Sequence, residues 1–183
     1  MTASVLILTG PPGSGKSTVA DLLARQAPMP AVHIHSDDFY DRFIKSGFVK
    51  PWLEEAHAQN VAVTGALVAA AFAYAKGGYW TIVDGIVGSW FLEPYRAASR
   101  TSGIALDYVV LRPGDAATNI GRVQGRSEMG LKDAPVIREL FAQFSSLGPL
   151  ESHVVDSGLG PPQDVAETVR AGLRLGRFRL GAD

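Results

Sequence analysis

The sequence contains no cysteine among its 183 residues. Disulfides, thiolate nucleophiles and cysteine-ligated metal sites are therefore excluded. Net charge is also small, since 17 Lys and Arg stand against 18 Asp and Glu. This balance argues against a nucleic-acid groove, and any ligand that needs positive charge must find it locally.

Long apolar segments are few. The N-terminus lacks the basic start of a signal peptide, and its apolar run, "VLIL", is short. The most apolar segment, residues 61–75, is shorter than a membrane span. We therefore expect a cytoplasmic protein with no membrane partner. Apolar residues make up 46% of the chain and no linker is visible, so residues 1–183 are predicted to form a single domain.

Five short apolar runs predict buried strands, with helical patterns between them. The runs cover residues 4–9, 31–36, 79–84, 105–111 and 153–156. The helical patterns cover residues 16–26, 54–76 and 115–124, and further ones follow Asp133 and Asp164. This alternation predicts an α/β fold with a parallel sheet covered on both faces. Ligands of such sheets bind beyond the carboxyl ends of the strands, so the residues after each run are the candidates for a site.

The segment "GPPGSGKS" follows the first run and opens the first helical pattern. It matches G-x-x-x-x-G-K-[ST], in which glycines let successive backbone N–H groups point at phosphate oxygens. Lys16 is expected to reach the β- and γ-phosphates, and the Ser17 hydroxyl to hold Mg²⁺. The alternative is an ordinary glycine-rich turn between a strand and a helix. The predicted nucleotide-binding residues are Gly10, Pro11, Pro12, Gly13, Ser14, Gly15, Lys16, Ser17 and Thr18.

Aspartates follow the second and third runs. Asp37 and Asp38 come directly after the second run, where a carboxylate beside phosphates is unfavourable unless Mg²⁺ or a substrate proton compensates for it. Asp37 suits the task of orienting and deprotonating a phosphoryl acceptor, and the alternative is that it caps a helix. Asp84 ends the third run and is predicted to hold the hydration shell of Mg²⁺, or else to form a turn with Gly85.

His33 and His35 share one side of the second predicted strand. A metal site needs more ligands than these two, and none is evident in the sequence at a suitable spacing. Core packing or hydrogen bonding is the expected role of both histidines.

A phosphate loop at the first strand, followed by Asp37-Asp38-Phe39 after the second, resembles the small-molecule P-loop kinases. The nearest groups are the chloramphenicol phosphotransferase-like and zeta-toxin-like kinases, and gluconate kinase is a more distant relative. The resemblance implies a three-layer P-loop fold with five parallel strands in the order 2-3-1-4-5, helices on both faces and a small lid. It also implies that Asp37 is the catalytic base.

The same resemblance implies a lid over residues 122–135 that closes arginines over the phosphates. Arg122 and Arg126 lie four residues apart and would share a helix face. Their value would be charge neutralisation in a loose transition state, so both are predicted catalytic residues along with Lys16. The alternative for these two arginines is a solvated basic helix face. A third arginine, Arg112, follows the fourth strand, and its alternative role is to fix the end of that strand.

In similar kinases the segment at residues 39–60 folds over the acceptor. The predicted acceptor-binding residues are Arg42, Lys45, Trp52, His57, Asn60 and, after the third strand, Trp90. Arg42 and Lys45 would meet an anionic acceptor, and Trp52 would stack on a ring of the acceptor. His57 and Asn60 would form hydrogen bonds with it. Exposed helix faces, loop anchoring, capping and core packing are the alternatives for these residues.

The sequence thus predicts a kinase that moves the γ-phosphoryl group of ATP or GTP, with Mg²⁺, to a hydroxyl of a small molecule. The acceptor is not identified by the sequence. One alternative is a zeta-toxin-like nucleotide-sugar kinase, which would be expected to have an antitoxin partner. Another is a P-loop ATPase or nucleotide switch with no acceptor. We expect a monomer or homodimer that binds no nucleic acid.

Overall fold

The computed structural model describes residues 3–114, 134–158 and 160–181. The strands are β1 (Val5–Thr9), β2 (Ala31–His35), β3 (Trp80–Asp84), β4 (Leu106–Arg112) and β5 (Val154–Asp156). The helices are α1 (Lys16–Arg25), α2 (Ser36–Asp41), α3 (His57–Lys76), α4 (Glu93–Ser102), α5 (Ala134–Gln143) and α6 (Pro162–Arg174). Short 3₁₀ helices cover Glu54–Ala56, Ser89–Phe91 and Gly148–His153.

The five strands form one parallel sheet in the order β2-β3-β1-β4-β5. This confirms the predicted fold class and strand order, and each predicted strand agrees with the observed one to within one residue at either end. The helix α4 is absent from the sequence-based prediction. Only Tyr95 of its residues is buried and most of the others are polar, so it has few apolar residues to mark a core face.

Alternate residues of the central strand enter two separate cores, one on each face of the sheet. Val5 and Ile7 face the core that α3 and α4 cover. Leu6 and Leu8 face the core that α1 and α6 cover. All of β1 is therefore buried, and the sheet is the middle layer of three.

The stretch Glu54–Lys76 is a 23-residue helical run with a window of mean hydropathy 1.3, which by length and composition alone is enough to cross a membrane. The apolar segment 61–75 is part of this run, and the run has the bounds 54–76 that the sequence predicts for the helix. Core helices meet the same criterion. α3 packs against the sheet through Val63, Leu67 and Phe72.

The carboxyl ends of β2, β3 and β1 lie side by side. Asp84 is the register partner of both Leu8 on β1 and His35 on β2. The phosphate-loop motif after β1, the aspartates after β2 and Asp84 therefore meet at one edge of the sheet. This is the place where ligands bind in open α/β sheets.

Candidate active site

The loop Gly10–Gly15 curls between β1 and α1. Gly10, Gly13 and Gly15 adopt φ angles of +142°, +82° and +89°, which residues with a Cβ atom rarely adopt. A Cβ atom on Gly10 would also lie 2.0 Å from the Leu111 carbonyl oxygen. The loop thus requires glycine both for its backbone conformation and for its packing against β4.

Lys16 is the first residue of α1, directly after the left-handed Gly15. Its Nζ atom donates hydrogen bonds of 3.0 Å to the carbonyl oxygens of Gly10 and Pro11. The ammonium group therefore lies across the mouth of the loop. Phosphate oxygens bound in the loop would meet this charge together with the amino end of α1.

Ser17 and Asp84 are joined by a hydrogen bond of 2.6 Å from the Ser17 hydroxyl to Oδ2 of Asp84. The His33 Nε2 atom lies 2.9 Å from the other carboxylate oxygen, Oδ1. The His35 Nε2 atom lies 3.1 Å from the Ser17 oxygen. Because the only proton of the Ser17 hydroxyl goes to Asp84, the contact with His35 requires a ring N–H that donates to the Ser17 oxygen.

The Asp84 side chain is almost fully buried, 1% exposed, and is nevertheless anionic in character. Burial alone would raise its pKa, but the hydrogen bonds from His33 and Ser17 and the nearby imidazoles hold the pKa of Asp84 below its usual range. A buried carboxylate beside a hydroxyl oxygen is the kind of hard oxygen donor set that Mg²⁺ prefers. The residues present therefore fit the predicted ion. The two histidines have hydrogen-bonding roles, as the sequence predicted.

Asp37 lies in the first turn of α2, next to the network through His35 and Ser36. The helix begins at Ser36 with His35 as its N-cap, so Asp37 does not cap it. Asp37 is exposed, and the Ser36 hydroxyl donates a 3.3 Å hydrogen bond to it. Burial raises the pKa of the Tyr40 phenol to about 12, and the Asp37 carboxylate adds to this shift, which places the phenol near Asp37.

A cavity of about 250 Å³ lies beside the phosphate loop, on the side of α6. Its walls come from the loop, from α1 and from the segment that follows β5. It is lined by Gly13, Ser14, Gly15, Thr18, Val19, Ser157, Gly160, Pro162 and Val165. The cavity adjoins the phosphate loop directly, so it is positioned to hold the base or sugar of a bound nucleotide.

The predicted acceptor-binding residues are not brought together. Arg42 is exposed and forms a 2.9 Å ion pair with Asp38 one turn earlier, and Lys45 is also exposed. Trp52 is exposed beneath the Lys50 ammonium group. The chain from residue 42 to 55 runs over the surface, and a role of these side chains in acceptor binding stays a prediction.

The other three predicted acceptor residues lie at separate places around α3 and after β3. His57 is exposed at the start of α3. Asn60 is buried and donates a 2.8 Å hydrogen bond to the Pro51 carbonyl oxygen, which anchors the preceding loop. Trp90 is half-exposed and packs against Phe144 with ring centroids 6.2 Å apart.

A narrow cleft beside Asp37 is lined by residues that the sequence-based prediction missed. It lies between α2, α3 and the segment that leads from β3 into α4. Its lining residues are Ser36, Tyr40, Thr64, Leu67, Ile86, Val87, Phe91 and Tyr95. Thr64 lies on the buried face of α3, as Asn60 does, so no sequence signal singles it out.

The predicted lid arginines, Arg122 and Arg126, and most of the predicted lid lie outside the described residues. Arg112 is described and has the structural role that was its alternative. Its guanidinium donates hydrogen bonds of 3.1 and 2.9 Å to the two carboxylate oxygens of Glu151. It therefore fixes the end of β4 to the segment before β5.

Comparisons with known proteins agree with this geometry. A family model described as an AAA domain matches residues 6–142. The chain belongs to this AAA domain family. A search of curated proteins gave no match.

Solved structures of kinases share the fold over nearly the whole chain. An unliganded sugar kinase from Janibacter sp. HTCC2649 is 19% identical, with a TM-score of 0.71 over 95% of this chain and 96% of that one. A gluconokinase from Sinorhizobium meliloti 1021 is 16% identical, with a TM-score of 0.63 over 94% and 93%. A shikimate kinase from Acinetobacter baumannii in complex with shikimate is 18% identical, with a TM-score of 0.61 over 94% and 93%. The predicted P-loop kinase fold is confirmed.

Proposed function

We propose that this protein is an ATP-dependent kinase that phosphorylates a hydroxyl group of a small molecule. The observation that carries the proposal is the juxtaposition, at one sheet edge, of a complete phosphate loop, Ser17 hydrogen-bonded to the buried Asp84, and an exposed carboxylate at Asp37. The similarity to solved structures of a sugar kinase, a gluconokinase and a shikimate kinase supports it. A cytoplasmic monomer or homodimer remains part of the proposal.

The phosphate loop binds the triphosphate through its backbone N–H groups. The Lys16 ammonium exchanges the carbonyl oxygens of Gly10 and Pro11 for β- and γ-phosphate oxygens and neutralises their charge. Ser17 and Asp84 would hold Mg²⁺, which when bound supplies further charge neutralisation at the β- and γ-phosphates. The Asp84 carboxylate, fixed by its hydrogen bonds, keeps the Ser17 oxygen oriented toward the phosphates.

Asp37 positions the acceptor and takes its proton. The acceptor oxygen forms a bond to the γ-phosphorus while the bond from that phosphorus to the β,γ-bridging oxygen breaks, and ADP leaves with the bridging oxygen. The hydroxyl proton passes to the Asp37 carboxylate. Arg122 and Arg126 are proposed to neutralise the transferring phosphoryl group.

The proposal is tested by adding ATP labelled at the γ-phosphate to the protein and a metabolite extract. We expect a labelled phosphoester that mass spectrometry identifies as a new phosphorylated alcohol. A Lys16→Ala variant is the control, and it should produce none of this compound. Release of labelled inorganic phosphate alone, at the same rate with and without extract, would instead show an ATPase or nucleotide switch.

A further inference from the structure

The cleft beside Asp37 is small and closed on the side of the core. Its volume is about 40 Å³, and a space of about 10–15 Å³ holds one water molecule by this measure. It can therefore take one small group of a ligand and not a whole metabolite. Ser36 and Tyr40, which flank Asp37 on α2, form one wall, so the group that fills the cleft lies beside the proposed catalytic base.

A buried hydroxyl without a partner lines this cleft. Tyr95 is 0% exposed, and its hydroxyl makes no hydrogen bond within the described part of the chain. Tyr108 is an internal comparison, since it is equally buried but donates a 2.9 Å hydrogen bond to the Val87 carbonyl oxygen. Buried polar groups in folded proteins are nearly always paired, so an unpaired hydroxyl on a residue that lines a cleft indicates a partner that is a ligand group or water.

The other lining groups are uncharged. Thr64 and Ser36 bring hydroxyls, while Leu67, Val87 and Phe91 bring apolar surface. No lysine or arginine is among the described residues that line the cleft. An anionic group placed here would lose its hydration without meeting a positive charge.

Three carboxylates lie on α2, the helix that forms one wall of the cleft. Asp37, Asp38 and Asp41 lie on α2, within six residues, and the Arg42 guanidinium pairs with Asp38. Burial raises the pKa of Asp41, and the carboxylates of Asp37 and Asp38 raise it further, so these charges are close enough to repel each other. The negative charge on α2 opposes an approaching carboxylate, sulfate or phosphate group.

We infer that the acceptor is a polyhydroxylated compound without negative charge, one hydroxyl of which fills the cleft and hydrogen-bonds to Tyr95 while a neighbouring hydroxyl reacts at Asp37. The inference rests on the proposed kinase function and adds the class of its substrate. The small cleft holds a single hydroxyl-bearing carbon, its apolar floor contacts the ring or chain carbons, and the carboxylates of α2 disfavour sugar acids and other anions.

The test separates a metabolite extract by anion exchange before the reaction. The retained fraction and the non-retained fraction are each incubated with the protein and γ-labelled ATP, with gluconate and shikimate as defined anionic probes. Most of the labelled phosphoester should form in the non-retained fraction. Most label in the retained fraction, or transfer to either anionic probe at a higher rate, would overturn the inference and leave the kinase proposal standing. Transfer in neither fraction would remove both.

A Tyr95→Phe variant tests the cleft itself. With a limiting amount of the non-retained fraction, transfer should fall about tenfold or more, because one buried hydrogen bond to the acceptor is lost. The melting temperature should stay equal or rise, since the Tyr95 hydroxyl has no partner in the described protein. A Tyr74→Phe variant, on an exposed part of α3, is the control and should match the wild type. Equal transfer by Tyr95→Phe, or a melting temperature lowered by several degrees, would contradict the assignment.

Discussion

The His33 ring on β2 lies 2.9 Å, through its Nε2 atom, from Oδ1 of Asp84 on β3. Since an ionised carboxylate only accepts hydrogen bonds, this nitrogen carries the proton and donates it. The other carboxylate oxygen accepts from Ser17, the residue after the phosphate-loop lysine. The His33 imidazole thus orients the Asp84 carboxylate, which in turn orients Ser17. His33 and Ser17 lie on different elements, and Asp84 connects them.

Replacement of His33 tests this orientation. A His33→Ala variant leaves Oδ1 of the buried Asp84 without its donor, so we expect the free energy of unfolding to fall by about 1.5–3 kcal/mol. Urea denaturation at neutral pH measures the change. His57→Ala is the matched control, because His57 is exposed at the start of α3, and it should change stability by less than about 0.5 kcal/mol. Equal effects of the two substitutions would contradict a structural hydrogen bond at His33.

The pH dependence of stability should distinguish two buried aspartates. The pKa of Asp84 in the folded protein is lowered from 3.8, so its stabilising contribution is present above about pH 4 and is lost as the pH falls through the folded value. The stability difference between wild type and an Asp84→Asn variant should therefore shrink in acid. Denaturant titrations at a series of pH values measure it.

Asp107 provides a control, because its pKa is shifted in the opposite direction from that of Asp84. Burial raises its pKa above 3.8 despite the 2.8 Å hydrogen bond from Arg179. The favourable contribution of its protonated form is therefore present in acid and lost as the pH rises through the folded pKa. The stability of the wild type relative to Asp107→Asn should therefore fall as the pH rises toward neutral. The same pH trend for both variants would show that the burial and hydrogen bonds of these carboxylates have been misjudged.

The Asp37→Asn variant separates phosphoryl transfer from nucleotide binding. Asparagine keeps the size of the side chain but cannot take the acceptor proton, so transfer should fall by about 10²–10⁴-fold. The affinity for ATP, measured by calorimetry, should remain nearly unchanged. Asp38→Asn is the matched control, because Asp38 pairs with Arg42, and it should retain transfer within a few-fold. Normal turnover by Asp37→Asn would remove this residue from the mechanism.

Two helical glycines should respond to alanine in opposite ways. Gly65 in α3 has open space where a Cβ atom would lie, so Gly65→Ala should raise the free energy of unfolding by about 1 kcal/mol. Gly172 in α6 would place its Cβ atom 2.2 Å from the buried Phe178 ring, so Gly172→Ala should destabilise by about 1–3 kcal/mol. Thermal denaturation of the pair checks both signs. Destabilisation by both alanines would show that packing around α3 is tighter than the structure indicates.

The predicted acceptor-binding residues and the cleft beside Asp37 do not coincide. Arg42, Lys45 and Trp52 have the chemistry of ligand contacts, but the loop that carries them is exposed and they meet neighbours or solvent. The cleft instead takes one wall from Thr64 and another from Tyr95, two residues from different helices. Neither position has a local pattern that differs from an ordinary core residue, so only packing reveals them.

The sequence by itself determined the strands, their parallel arrangement and the phosphate loop. These depend on local rules: runs of apolar residues make buried strands, and the Gly10–Ser17 motif requires its glycines at fixed positions for the backbone to turn. The tertiary structure alone decided that His33 forms a hydrogen bond with Asp84 and that Tyr95 lines a cleft beside Asp37. Such relationships join residues that are distant along the chain, and they are fixed by strand order and by how α3 and α4 pack on the sheet.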